Sequence, residues 1–312
     1  MAASGPARVA VLGMGGTIAM TSRDATAVLP SLSVEDLVSA VPGLAATGIA
    51  VETAGVRQLP GASLDFDDID ALSAAIDDRF ADGVYGVVVT QGTDTIEETA
   101  YLLDLMHDDD RPVVVTGAMR NPALAGADGP ANLLAAVQVA AARLVRGLGV
   151  LVVLADEIHA AARVRKSHST STHAFVSPWG GPLGYVVEGE PRVVNRPAQR
   201  LRRLPSLDDS GRRAQVALVT MVLGDTGLLL DGMDDRLDGL VVAGFGVGHV
   251  PQGLVDRLER LATRIPVVLA SRTGAGSVLT RTCGFPGSES DLQGRGLISA
   301  GPLDPLKARI LC

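Results

Sequence analysis

Along the first half of this chain the hydrophobic pattern switches back and forth between two periods. Apolar runs at 8–13, 49–56, 84–90, 112–117 and 148–154 are short and rich in Val, Leu and Ala. Runs of that kind read as strands buried on both faces. Between them lie stretches with apolar residues at helical spacing: "VEDLVSAV" from Val34, "FDDIDALSAAIDDRF" from Phe66, "TIEETAYLLDLM" from Thr95 and "ANLLAAVQVAAARLV" from Ala131. Strand and helix repeated in this order predict a parallel α/β sheet with helices on both faces. Asp65 or Asp67 marks one helix start, Asp94 another, and Pro130 sits where a first helical residue belongs. Aromatic residues make up only 3% of the chain, so the core has to be built from Val, Leu, Ile and Ala.

Beyond residue 159 the pattern changes. "HAAARVRKSHSTSTHAFVSP" is polar and β-leaning, and "LGYVVEG" follows it, which predicts an antiparallel ribbon. Residues 191–214 are rich in Pro, Arg and Ser and read as a linker between a domain over 1–190 and a smaller α/β domain over 215–312. In the latter, "AQVALVTMV", "LDGLVVAGFG" and "PVVLAS" read as strands, with helices expected near 225–234 and at 251–263. "LDPLKARILC" opens as a helix, Asp304 capping and Pro305 at its first position, and stops after about two turns. It reads either as a stub docked on the sheet or, the favoured expectation, as a helix cut short by truncation.

The formal charge of −8 disfavours nucleic acid and anionic lipid as partners. The arginines at 200, 202, 203, 212 and 213 have no aromatic residues among them and read as a solvated linker. Two cysteines, Cys283 and Cys312, support neither a disulfide framework nor a cysteine metal site. With no signal-peptide pattern and no bilayer-length apolar run, the expectation is a soluble cytoplasmic protein.

Candidate chemistry sits in the loops after the strands, because open α/β sheets bind ligands at the carboxyl ends of their strands. "GMGGTIAM" (13–20) is not a nucleotide cradle. The dinucleotide fingerprint would need glycine at Ile18, and a P-loop would need a lysine, of which none occurs among residues 1–165. What is left is a sharp turn presenting Thr17, followed by "IAMTSRDATA", which reads as a mobile loop. "TQGTDT" gathers three threonines and Asp94 at a strand end and helix start, where backbone N–H groups favour negative charge. Lys166 is one of only two lysines. A lysine can give up its proton when its pKa is pulled down, which arginine cannot, although a surface role explains it equally well. The five histidines have no metal-ligand spacing, and no Gly-x-Ser-x-Gly elbow is present.

Taken in order, "GGTIA" (15–19), "QGTDTIEETAYLL" (91–103), "GAMR" with "ADGPANLLAAV" (117–137), "SPWGGPLGYVVEG" (177–189) and "LDPLKARILC" (303–312) resemble the bacterial-type L-asparaginase family over nearly the whole chain. The resemblance implies a larger flavodoxin-like N-terminal domain, a smaller α/β C-terminal domain, and assembly as a homodimer or homotetramer. It implies hydrolysis of the L-asparagine side-chain amide, without cofactor or metal, through an ester on Thr17. Thr93, Asp94 and Lys166 match the second threonine and its aspartate and lysine partners. Ser63 matches the serine holding the substrate's α-carboxylate. Glu289 matches the glutamate that reaches a neighbouring subunit's site towards the α-amino group. Backbone N–H groups near Thr93 and Ala118 are the candidate oxyanion donors.

The sequence departs from the family at four points. No tyrosine occurs before Tyr85, where the family carries one soon after its first motif. Leu64 replaces a polar residue, Gln91 a histidine and His249 an asparagine. Loss of polar contacts at 64 and 249 predicts weaker binding of L-glutamine than of L-asparagine. The alternatives are a glutaminase-asparaginase, another small-amide amidase, or a non-catalytic amino-acid sensor.

Overall fold

The computed structural model describes residues 7–16, 18, 20–24, 27–30, 32–198, 212–233 and 235–312. Thr17 and Arg200, Arg202 and Arg203 of the arginine patch lie outside the described residues. The chain divides into two compact units, Met1–Pro205 and Ser206–Cys312.

The five expected strands of the first half are all present: β1 (Arg8–Gly13), β4 (Ala50–Gly55), β5 (Gly86–Thr90), β6 (Val113–Thr116) and β7 (Val150–Leu154). So are the four helices: α1 (Val34–Ser39), α2 (Phe66–Ala81), α3 (Ile96–Met106) and α4 (Gly129–Ala141). The segment expected as a mobile loop instead forms an antiparallel hairpin, β2 (Met20–Asp24) with β3 (Ala27–Pro30). The ribbon region supplies β8 (Glu157–Ala160), β9 (Arg165–Lys166), β10 (Phe175–Val176), β11 (Gly184–Val187) and β12 (Glu190–Val193). β12 pairs with β11, so strand structure occupies the first residues of the stretch whose composition predicts a linker.

The large sheet has the order β12-β11-β8-β7-β6-β5-β1-β4. Its parallel part, β4-β1-β5-β6-β7, is the flavodoxin-like doubly wound order, with β8, β11 and β12 added antiparallel at one edge. Successive side chains of a strand point to opposite faces. Accordingly Val9 and Val11 of β1 pack with residues of α1 and α4, while Ala10 and Leu12 pack with residues of α2 and α3. α2 shows why its sequence makes a helix. Asp65 and Asp68 form a reciprocal capping box, and Ile69, Leu72, Ile76 and Phe80 fall on one buried stripe.

The second unit carries a parallel sheet of β13 (Val216–Thr220), β14 (Gly239–Gly244), β15 (Val267–Ser271) and β16 (Ile298–Ser299), in that order. α5 (Val255–Ala262) and α6 (Glu289–Gly294) contribute to the core on one face, and Ala308 of α7 (Pro305–Leu311) packs on Val241 and Ala270 of the other. Among the described residues near 225–234 only a short 3₁₀ turn forms, Leu228–Leu230, because Gly227 and Gly232 take left-handed φ values of 76° and 71° on either side.

Candidate active site

From β1 the chain crosses to β4 on one side and then to β5 on the other, so the topological switch point lies between β1 and β5. The loops leaving those two strands are "GMGG" and "QGTDT", the pair that sequence reasoning singled out. Their close approach depends on glycine. Gly16 has φ 88°, and a Cβ there would sit 2.1 Å from the Gly92 nitrogen. A Cβ on Gly92 would in turn fall 2.8 Å from the nitrogen of Gly61. Three loops, after β1, β4 and β5, therefore meet backbone to backbone. Gly16 and Ile18, on either side of Thr17, are both placed: Gly16 against Gly92, Ile18 buried beside Ala118 and Gly129.

Thr93, Asp94 and Lys166 come together although Lys166 is far away in sequence. The Lys166 ammonium donates to Thr93 Oγ1 at 2.9 Å and lies 3.6 Å from Asp94 Oδ1. Thr93 is buried, the Lys166 side chain is 18% exposed and that of Asp94 is 59% exposed. Lys166 is the second residue of β9, paired with the buried Phe175 of β10, and its backbone N–H donates to Glu97 Oε1 at 3.2 Å. The first turn of α3 thus anchors the strand that carries the lysine.

Asp94 does not cap α3. Thr95 holds the N-cap position, its hydroxyl donating to the Gly61 carbonyl and accepting from Gln91 Nε2, and the Asp94 carboxylate, one residue too early, faces Lys166. Gln91 is buried and bonds the hydroxyls of Thr95 and Thr99, which gives it a structural role beneath the loop. Leu64 packs against the α2/α3 side of the core. Ser63 ends the Gly61–Ser63 turn and is exposed, on the same loop whose Gly61 meets Gly92.

Ala118 follows β6 and is buried. Gly117 beside it leaves no room for a side chain: a Cβ there would lie 2.5 Å from the Gln91 carbonyl oxygen and 3.3 Å from Thr93 Cγ2. The loop is held by residues that sequence reasoning left without a role. The Asp128 carboxylate accepts from the N–H groups of Met119 and Arg120 at 3.0 and 2.8 Å. Buried Asn132 donates to the Gly117 carbonyl and to Asp128, and accepts from the Ala155 N–H at 2.9 Å. Their signal in the sequence was the four-residue spacing of Asp128 and Asn132 within "ADGPAN", one helical turn.

Glu289, in the second unit, is the first residue of α6 and fully buried. One oxygen accepts from the N–H groups of Thr282 and Cys283 at 3.0 and 2.7 Å; the other meets His249 Nε2 at 3.1 Å. Burial pushes the carboxyl pKa up, but the backbone N–H groups and His249 together outweigh it and hold the group below the usual range.

A hydroxyl, an ammonium and a carboxylate are thus gathered at the switch point of a doubly wound sheet, where open α/β folds bind their ligands. Comparison with known proteins makes the assignment specific. Residues 8–199 match the family described as "Asparaginase, N-terminal", and residues 215–312 match "Glutaminase/Asparaginase C-terminal domain". The chain belongs to the asparaginase family. It is 34% identical to a glutaminase-asparaginase of Pseudomonas fluorescens over 98% of its own length and 85% of the relative's. It is 36% identical to a probable L-asparaginase of Deinococcus radiodurans, covering 97% of this chain and 91% of that one. Its structure superposes with a TM-score of 0.86 on that of a probable cytoplasmic L-asparaginase from Campylobacter jejuni, 34% identical, covering 98% and 93% of the two chains.

Proposed function

We propose that this protein hydrolyses the side-chain amide of L-asparagine to L-aspartate and ammonia, and that Thr17 is its nucleophile. In this reading the Thr17 hydroxyl adds to the amide carbon, the C–N bond breaks, and ammonia leaves with the hydroxyl proton. Water then opens the resulting β-aspartyl ester, activated by the Thr93–Lys166–Asp94 group. Backbone N–H groups near Thr93 and Ala118 would stabilise the developing oxyanion. Ser63 and Asp94 would hold the free amino acid's charged ends, joined by Glu289 from a neighbouring subunit in a homodimer or homotetramer.

The observation that carries the proposal is the 2.9 Å hydrogen bond from Lys166 to the buried Thr93 hydroxyl. An amino-acid sensor would have no use for that pair, so it favours the enzyme over the binding protein. A cytoplasmic location agrees with the name of the Campylobacter protein, while a Haemophilus influenzae relative, 35% identical, is named as periplasmic. Among the described residues no helix is long and apolar enough to cross a membrane.

Ammonia release measured side by side with L-asparagine and L-glutamine tests the substrate assignment. Faster turnover of asparagine is expected: Leu64 packs against the core and His249 bonds Glu289, so neither supplies the longer substrate with a polar contact. Equal rates on the two amides would move the chain to the glutaminase-asparaginase reading, the name borne by the Pseudomonas relative.

A further inference from the structure

We propose that His249, Cys283 and Glu289 form a binding site for a zinc-class divalent cation in the second unit. A nitrogen of His249, the sulfur of Cys283 and a carboxylate oxygen of Glu289 all lie within 4.8 Å of one another, the one such group of His, Cys, Asp and Glu among the described residues. Ligand separations in a tetrahedral zinc site follow from bonds of about 2.0–2.3 Å, so only small side-chain movements close this set around an ion.

The Glu289 side chain and the backbones of Cys283 and His249 are held by bonds that metal binding would leave intact. Glu289 Oε1 is fixed by the N–H groups of Thr282 and Cys283, which leaves Oε2 as the ligand atom. The Cys283 carbonyl accepts from the hydroxyls of Ser288 and Ser290. His249 closes a tight turn through reciprocal backbone bonds with Phe245, and its ring stands edge-on to Phe285 at 5.0 Å. Partners of this kind on Glu289 orient a ligating carboxylate, and the fixed backbones limit where the other two side chains can reach. Glu289 is fully buried while His249 and Cys283 are partly exposed, which gives the ion an entry path.

The chemistry selects the ion. One thiolate, one imidazole and one carboxylate make a mixed set that suits zinc and disfavours magnesium and calcium, which prefer all-oxygen shells. Binding replaces the Cys283 thiol proton, which passes to the buffer, and the thiolate and carboxylate then balance the ion's two positive charges. The ion displaces the His249–Glu289 hydrogen bond and takes Glu289 Oε2. On the reading of Glu289 given above, zinc would therefore inhibit asparagine turnover.

The test uses the untagged 312-residue chain. Equilibrium dialysis against zinc is expected to give one tight ion per chain. Cobalt substitution is expected to give a thiolate-to-cobalt charge-transfer band. Cys283→Ser, checked for folding by its melting temperature, should lose the band and weaken zinc binding by about a hundredfold or more, since a lost ligand costs more than the 10–100-fold of a lost partner of a ligand. His249→Asn should weaken zinc binding in the same direction. Zinc binding that is unchanged in a folded Cys283→Ser variant, or a cobalt complex without the thiolate band, would overturn the site. If zinc binds through this cluster yet asparagine turnover is unaffected, the site stands and the substrate-binding role of Glu289 falls.

Discussion

Replacing Lys166 with methionine removes the ammonium and keeps the length of the side chain. Two contacts go. The hydrogen bond to Thr93 Oγ1 is 2.9 Å long and charge-assisted, a class worth about 1.5–3 kcal/mol. The Asp94 contact at 3.6 Å adds under about 1 kcal/mol, because the Asp94 side chain is 59% exposed and water screens it. Removing a largely buried charge offsets part of that loss, so the folded state should weaken by about 1–2 kcal/mol and stay populated. The rate should suffer more. A positioned proton-transfer group contributes about 10²–10⁴-fold, or about 3–5 kcal/mol of barrier. The assay is ammonia release at saturating asparagine, with the folded fraction of each variant measured by denaturant titration. Lys166→Arg keeps the charge but cannot share its proton, so it should restore stability without restoring kcat. A Lys166→Met variant turning over within about threefold of the parent, a difference of under 1 kcal/mol in barrier, would refute the proton-transfer role.

Other perturbations have equally definite outcomes. Asn132→Ala leaves the Gly117 carbonyl and the Ala155 N–H without their partner, which should cost about 2–4 kcal/mol in urea denaturation and lower kcat through the loop beside Thr93. Glu289 has a folded pKa below its unfolded one, so its contribution is present above the unfolded value of about 4.3 and is lost as pH falls through the folded value. Glu289→Gln should therefore lower the urea midpoint near neutral pH and flatten its decline towards about pH 3. The Tyr101 hydroxyl is buried, has no hydrogen-bond partner among the described residues, and has its pKa pushed up to about 12 by burial and by Asp104. Tyr101→Phe should leave stability unchanged or raise it by up to about 1 kcal/mol. It should also reduce the stability lost as pH rises past the unfolded tyrosine value of about 10, as a melting series into the alkaline range would show.

The parallel core was legible because its strands are buried on both faces and its helices are amphipathic, so the two periods separate in β1, β5 and β7 and in α2 and α3. The hairpin β2–β3 was not, since "TSRD" and "AVLP" have no alternation to distinguish them from a loop. The helix expected near 225–234 failed for a local reason, two left-handed glycines bracketing four residues. In the candidate site, Thr93 and Asp94 stood out as a cluster, and Lys166 by its rarity. Glu97, Asp128 and Asn132 did not stand out, because each acts on backbone in another element. Asn132 ties together groups 15 and 23 residues away, a relation that no local pattern encodes. Thr95 instead of Asp94 holds the N-cap position of α3, and its hydroxyl makes no capping bond but donates across the loop to the Gly61 carbonyl, again a non-local relation.

Hydrolysis of asparagine through an ester on Thr17 leaves a covalent trace on the chain. The direct measurement is to quench the enzyme with acid during turnover of L-asparagine, digest it, and locate the β-aspartyl group by mass spectrometry, in the parent and in Thr17→Ala. The group is expected on the peptide containing Thr17, with neither the adduct nor ammonia release in the variant. An adduct on Thr93, or turnover that survives in Thr17→Ala, would contradict it.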